Sequence, residues 1–310
     1  MIKRTLYFGN PAYLSLKDEQ VVIKIPAIEK RDFDDEVKQK AIRTIPIEDI
    51  GVLILDNKQI TITQGLLEKL LENNCAVVTC DSTCLPVGLM LPLCGNSIQT
   101  ERMRDQIEAS LPLKKQLWQQ TIIAKIENQA HVLREMRNAE IGNMQHWAND
   151  VRSGDSENKE ARAAAYYWKN AFPTIKDFVR SREGDAPNNL LNYGYAILRA
   201  VIARALVSNG LLPTFGIHHK NKYNAYCLAD DIMEPYRPYV DRLIMQIFDS
   251  QIDCSALTKD IKVKLLEIPV MEVCINNLRR PLMVAASITT SSLQKCFAGE
   301  SRKILYPSMS

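Results

Sequence analysis

LPVGLMLPLCGN, residues 85–96, is where this chain changes character. Two prolines and two glycines in twelve residues read as a hinge or linker. Upstream of it, residues 5–8, 12–17, 20–25, 51–55 and 59–63 are short alternating or β-branched runs, which predict strands. One short helix is expected at 64–71, where apolar positions recur at helical spacing and Thr63 stands as a candidate N-cap. CAVVTCD, residues 75–81, predicts a further buried strand. Downstream, helices take over. Residues 113–136 place Leu117, Ile122, Ile126 and Leu133 near one face, with Lys114, Lys115, Lys125 and Arg134 elsewhere around it. Helical patterns follow at 159–170, at 189–208 with an Asn209-Gly210 stop, at 228–248, at 257–268 and within 278–300. The expectation is an α+β chain of two domains: a small β-rich N-terminal domain, 1–95, then a larger all-α domain, 96–310. No internal repeat or low-complexity tract appears.

Of the 310 residues 46% are hydrophobic and 24% charged, the balance of a globular protein with a sizeable core. The beginning has no apolar stretch of signal-peptide length, and no segment approaches the roughly 18 consecutive apolar residues of a membrane span. The chain is therefore read as cytoplasmic, with no membrane partner. The net charge of +3 does not announce nucleic-acid binding, but its distribution is uneven. Residues 1–95 carry 11 Lys and Arg against 13 Asp and Glu, whereas residues 96–310 carry 28 against 23. A basic excess in the second half suits a surface that touches phosphates.

Eight cysteines are scattered through a chain without a secretory signal, which favours thiols over a disulfide framework. Four of them, Cys75, Cys80, Cys84 and Cys94, crowd together, yet none forms a CxxC pair. The spacing is wrong for a standard zinc knuckle, so buried strand thiols are the expected reading, and the role of the group stays open.

The chemistry-bearing residues lie in the second half. Glu160 opens EARAAAYYW, where three alanines allow a helix to approach a neighbour closely while the carboxylate projects from its first turn. Alone, such a glutamate is ordinarily a favourable charge at the positive end of a helix dipole. His218 and His219 follow Gly216 in GLLPTFGIHHKNKYN; one imidazole nitrogen can bind a metal while the other is oriented by a neighbour, although a plain polar loop histidine has the same signature. Spacing does not decide which of the two faces inward. Asp231 and Glu234, in LADDIMEPYRPYVD, share a helix face and could reach one cation, within the constraint that Pro235 sets on the backbone. Asp230 should point away from Asp231, and an exposed acidic patch is the bland alternative.

Taken together, EARAAAYYW, NNLLNYGYAILRAVIARALVSNGLLPTFGIHH and LADDIMEPYRP resemble, in order, wording and spacing, the three signature blocks of the CRISPR adaptation integrases, the first of the two universal CRISPR-associated proteins. The resemblance runs over essentially the whole chain, and the HH pair and MEPYRP wording look most like the branch that accompanies type II systems. It implies that the family's metal-binding and catalytic glutamate falls on Glu160, its histidine on His219, and its two acids on Asp231 and Glu234. In the type II-like branch the second acid is the usual ligand, which ranks Glu234 above Asp231, a possible ligand or neighbour. Ala161, Ile232 and Tyr236 depart from the commonest family residues without touching a ligand position.

The resemblance also implies the chemistry. A divalent ion, Mg²⁺ or Mn²⁺, suits two carboxylates and an imidazole. In the family the 3′-hydroxyl of a short DNA duplex attacks the CRISPR repeat by transesterification, so no Ser/His/Asp or Cys/His arrangement is required. Implied partners are double-stranded DNA, a second copy in a homodimer made mainly by the N-terminal domain, a bridging dimer of the second universal adaptation protein, and the type II interference proteins. For phosphate contact the first candidates are Arg180 and Arg182, then Lys220 and Lys222, each of which could instead belong to a solvated charged face. Tyr166, Tyr167, Tyr193 and Tyr195 read as core aromatics, and Asn189 or Asn192 as residues that orient others. Two other readings remain: a metal-dependent endonuclease acting on branched DNA with water as nucleophile, and a helical DNA-binding scaffold whose acidic cluster merely pairs with Arg237.

Overall fold

The computed structural model describes residues 3–29, 34–82 and 85–309. It comprises two units, Met1–Gly95 and Asn96–Ser310.

In the first unit, strands β1 (Arg4–Phe8), β2 (Tyr13–Lys17) and β3 (Gln20–Lys24) precede two short helices, α1 (Pro26–Glu29) and α2 (Asp35–Ala41). Then come β4 (Arg43–Pro46), β5 (Ile50–Leu55), β6 (Thr61–Ile62), helix α3 (Gln64–Glu72), β7 (Ala76–Cys80) and β8 (Pro86–Met90). They form two four-stranded sheets, ordered β1-β5-β7-β8 and β4-β3-β2-β6. The first is parallel except for β8, which runs antiparallel to β7; the second is antiparallel except for β6, which lies parallel to β2. The β2–β3 turn holds Asp18 and Glu19 at φ 50° and 56°, the positive values a two-residue hairpin needs. Leu66 and Leu70, one helical turn apart on α3, pack with Leu14, Val21, Ile50, Leu53 and Val77. Each such fully buried side chain contributes roughly 1.5–3 kcal/mol relative to exposure.

Two sequence expectations are corrected here, and a third, the N-cap at Thr63, is met in position. The segment 85–96 is not all linker: Pro86–Met90 is an edge strand, where proline at the first position removes no interior ladder bond. Thr63 occupies the N-cap position of α3 with extended backbone, but its side chain makes no capping hydrogen bond. Of the cysteine group, Cys75 is buried and Cys80 sits in β7, whereas Cys94 is exposed, and Cys84 lies outside the described residues.

The second unit is helical: α4 (Gln99–Glu108), α5 (Leu111–Arg137), α6 (Gly142–Asn149), α7 (Lys159–Ala171), α8 (Asn188–Ser208), α9 (Cys227–Met233), α10 (Arg237–Asp249), α11 (Lys259–Leu265) and α12 (Leu282–Phe297). Helix α5 runs through its middle against α6, α7 and α10. The Ser110 hydroxyl accepts the Leu113 N–H at its start, and Asn138 in left-handed conformation ends it. By length and composition α8 is apolar enough to cross a membrane, but its apolar residues are mostly buried, packed against α9, α10 and α12.

Two features interrupt the helices. The run 228–248 is broken because Pro235 and Pro238 lack N–H donors: α9 ends at Met233, a 3₁₀ turn spans Glu234–Tyr236, and α10 begins at Arg237. Residues 278–281 start no helix. They form β10 (Leu278–Pro281), paired antiparallel with β9 (Glu272–Ile275) around Asn276 and Asn277 at φ 54° and 61°. Adjacent asparagines tolerate that conformation, so a hairpin sits in the domain expected to be all-α.

Candidate active site

Four segments of the second unit meet beside the middle of α5: the first turn of α7, the loop after α8, helix α9 and the Glu234–Tyr236 turn. The first turn of α7 is set by Asp155, whose carboxylate accepts the backbone N–H groups of Lys159 at 2.8 Å and Glu160 at 3.0 Å. An acid on free helix N–H groups replaces the missing intrahelical acceptors and leaves the Glu160 side chain available.

The histidine loop is folded around one buried carboxylate. Asp231, fully buried, accepts the backbone N–H of His218 at 2.9 Å and of His219 at 3.2 Å, and its Oδ1 lies 2.5 Å from His219 Nδ1. With its proton on Nδ1 the imidazole donates to Asp231, which turns Nε2 outward. Glycine is required at 216, since a Cβ there would stand 2.6 Å from Asp231 Oδ2 and 2.5 Å from the His219 carbonyl oxygen. Trp118 of α5 completes the wall: His218 stacks on it at 4.1 Å between centroids, and His219 meets its edge at 5.7 Å. Hydrogen bonding to Asp231 raises the pKa of His219 against the opposing effect of burial, while burial lowers that of His218. The structure thus separates the two histidines that spacing left equivalent. His219 bonds the acid through its ring, and His218 only through its backbone.

Glu160 and Glu234 converge on Lys125. Its buried ammonium lies 2.6 Å from Glu160 Oε1 and 2.6 Å from Glu234 Oε2. Arg237 Nε approaches Glu234 Oε1 at 2.8 Å. Burial pushes the Glu234 pKa up, but the Arg237 and Lys125 charges outweigh it and hold the carboxyl at about 2. Burial alone would lower the Lys125 pKa; the charges of Glu234 and Glu160 raise it. Glu234 Oε2 is enclosed against the Lys125 ammonium 2.6 Å away. A carboxylate oxygen with one such partner still has a second lone pair.

Among the described residues no three His, Cys, Asp or Glu side chains form a ready-made metal centre. Glu160 and Glu234 share one cation, while His219 is turned to Asp231. The donor chemistry nevertheless fits a hard or borderline divalent ion: two carboxylates already gathered around one positive charge, with lone pairs to spare, and an imidazole whose Nδ1 is fixed. Asp231, fully enclosed and bonded by the histidine loop, is placed to orient His219. Asp230 differs again, for its carboxylate is taken by Arg199 Nε at 2.7 Å and Asn224 Nδ2 at 2.7 Å. The Glu234–Arg237 pairing of the scaffold reading is present as well.

Of the basic candidates, Lys220, Lys222 and Arg182 are exposed. Arg180 is half-buried and engaged: it donates to Asn192 Oδ1 at 2.7 Å and Asn188 Oδ1 at 3.1 Å, and stands over the Tyr195 ring at 5.1 Å. Asn189 donates to the Cys254 carbonyl at 2.8 Å, away from the cluster. Tyr167, Tyr193 and Tyr195 are buried, whereas Tyr166 is half-exposed. Of the three alanines after Arg162 only Ala163 is fully buried.

Sequence reasoning missed Trp118, Thr121, Lys125 and Asn128. They recur every three or four residues on α5, a polar and aromatic stripe beside its apolar face, and that spacing was the available signal.

The family model described as CRISPR associated protein Cas1 matches residues 6–266. The CRISPR-associated endonuclease Cas1 of Neisseria meningitidis serogroup C (strain 8013) is 35% identical over 295 residues, covering 95% of this chain and 92% of that protein. In fold, the chain is similar to a casposase bound to integration product, with a TM-score of 0.77 at 20% identity, covering 98% of this chain and 92% of the other. It is also similar to a chain of a Cas6-RT-Cas1–Cas2 complex, with a TM-score of 0.73 at 19% identity, covering 99% of this chain and 36% of that longer one. The family match over most of the chain, together with the near full-length relative, establishes that this protein belongs to the CRISPR-associated Cas1 family.

Proposed function

We propose that the protein is a metal-dependent DNA integrase of CRISPR adaptation. It joins the 3′-hydroxyl ends of short duplex DNA to the CRISPR repeat by transesterification. One divalent ion per subunit would be held by Glu160, His219 and Glu234. The observation that carries this reading is the convergence of Glu160 and Glu234, from different segments, within 2.6 Å of one cationic nitrogen, beside an imidazole held by a buried acid.

When bound, Mg²⁺ or Mn²⁺ polarises the scissile phosphate and stabilises the developing alkoxide. Asp231 keeps the proton of His219 on Nδ1, so that Nε2 is free to coordinate. Arg237 neutralises Glu234 from the side of Oε1. The donor 3′-hydroxyl loses its proton and forms one phosphodiester bond to the phosphate at the repeat border, as the 3′-oxygen of the preceding nucleotide leaves and takes up a proton, so the chain needs no nucleophile of its own. Lys220, Lys222 and Arg182 supply sequence-independent phosphate affinity, while Arg180 acts from within its asparagine clamp. The reading includes a homodimer joined through the N-terminal unit, a bridging dimer of the second universal adaptation protein, cooperation with type II interference proteins, and a cytoplasmic location. The fold likeness to the Cas6-RT-Cas1–Cas2 complex supports the bridging partner.

A second reading is favoured by the name of the Neisseria relative, an endonuclease: the same site could direct water at branched DNA. One experiment separates the two. The protein, the bridging partner, a short duplex with 3′-hydroxyls and a plasmid carrying a CRISPR repeat are incubated with Mg²⁺ or Mn²⁺. A covalent donor–target product that Glu160→Ala abolishes is expected. Cut plasmid without joined donor would replace integration by hydrolysis, and no product from folded protein would refute both.

A further inference from the structure

Residues 301–309 leave α12 and return along α5. Gln120 Nε2 donates to the Arg302 carbonyl at 2.9 Å, and its Oε1 accepts the Ile304 N–H at 3.0 Å. The Tyr306 hydroxyl meets Thr121 Oγ1 at 2.9 Å, and the Ser308 N–H donates to the Cys274 carbonyl at 2.9 Å. This strap is tied to the Glu234–Tyr236 turn by two buried side chains, one from α5 and one from α12.

Asn128 is the first. Its amide donates to the Pro235 carbonyl at 2.8 Å and to the Pro307 carbonyl at 3.0 Å, while its oxygen accepts the Met309 N–H at 3.0 Å. Thr289 is the second. Its hydroxyl donates to the Leu305 carbonyl at 2.6 Å, which commits its only proton, so the Tyr236 hydroxyl, 2.6 Å away, is the donor to Thr289. Asn128 is 2% exposed, and Thr289 and Tyr236 are fully buried. The turn has local bonds from the Glu234 N–H to the Asp231 carbonyl and from the Arg237 N–H to the Glu234 carbonyl, but Pro235 and Pro238 contribute no N–H, so the outside contacts of Asn128 and Thr289 add to a sparse internal set.

We propose that the strap 301–309 is a positioning element for Glu234, acting through Asn128 and Thr289 to fix the turn that carries this carboxylate. The proposal rests on the reading of Glu234 as a metal ligand. Neither bridging residue touches the carboxylate; each sets where the backbone presents it. Residues that orient a ligand from behind commonly change metal affinity by about 10- to 100-fold when removed.

The test uses the full chain, Mn²⁺ alone as probe, and titration calorimetry, with unfolding measured in parallel. Thr289→Val keeps shape and removes the bridging hydroxyl; Met309→Pro removes the N–H that Asn128 accepts. The pair is expected to weaken Mn²⁺ binding about tenfold, and Thr289→Ser to restore it, because only the hydroxyl matters. Arg137→Ala loosens the unit elsewhere, by releasing the Ala171 carbonyl and Asp249, and is expected to leave Mn²⁺ affinity unchanged at a comparable loss of stability. Unaltered affinity in both Thr289→Val and Met309→Pro, or an equal loss in Arg137→Ala, would overturn the proposal while leaving the metal site intact. Absence of Mn²⁺ binding by the folded wild-type chain would overturn both together.

Discussion

Asp231 carries His219. The buried carboxylate receives the imidazole at 2.5 Å from Nδ1 and also the backbone N–H groups of His218 and His219. Both oxygens accept, so the acid fixes at once the course of the loop, the proton position and the direction of the ring. It can do so only while it offers two acceptor oxygens.

Asp231→Asn replaces one of those oxygens by a donor and forces it against an N–H. The expected result is a 10- to 100-fold weaker Mn²⁺ affinity with a parallel loss of integration, as on removing the partner of a ligating histidine. The accompanying stability loss is on the order of 1–3 kcal/mol for a buried group left unsatisfied. Calorimetry with Mn²⁺ checks it; wild-type affinity in the variant would show that Asp231 does not orient His219.

Lys125→Met removes the ammonium shared by Glu160 and Glu234. Without metal the variant should lose on the order of 1–3 kcal/mol of stability, because Glu234 keeps Arg237 but its Oε2 loses its buried partner. With metal the order reverses. An ion no longer has to displace a resident cation, so Mn²⁺ should bind more tightly and raise the melting temperature more than in wild type, by mass action. Thermal melts with and without Mn²⁺ decide the point, and a metal-induced gain smaller than that of wild type would count against it.

Asp241 gives a pH dependence. It accepts the Tyr167 hydroxyl at 3.0 Å and the Tyr195 hydroxyl at 2.5 Å. Burial raises its pKa from 3.8 to about 7, against the lowering effect of the two tyrosines and the charge of Arg237. The folded state therefore binds this proton more tightly than the unfolded chain. The resulting stability is complete below about pH 4 and is lost as pH rises through about 7, a contribution on the order of 2–4 kcal/mol. Denaturant titrations at pH 5.5 and 8.5 should show wild type losing stability over this range and Asp241→Asn losing distinctly less. Equal losses in both would disprove it.

Much of the architecture could be read from local chemistry. Short β-branched, apolar runs gave β5 and β7, and the long amphipathic pattern after Pro112 gave α5, because these signals depend only on neighbours along the chain. The hairpin at Asn276 and Asn277 was missed although paired asparagines are a turn signal, since the apolar run after it reads as one helix. Pro235 and Pro238 marked a constraint, but not that Glu234 would lie on a 3₁₀ turn of its own.

The sequence by itself determined the division between strands and helices, the family blocks, and with them the identities of Glu160, His219, Asp231 and Glu234 as the residues to examine. Those properties are local, or written in the wording of short segments. Only the tertiary structure decided that Asp231 orients His219, that Lys125 joins Glu160 to Glu234, and that Asn128 and Thr289 tie the Glu234 turn to residues 301–309. The reason is physical: these relationships join residues from 12 to well over a hundred positions apart, and burial, which makes their charges and hydrogen bonds strong, exists only once the helices have packed.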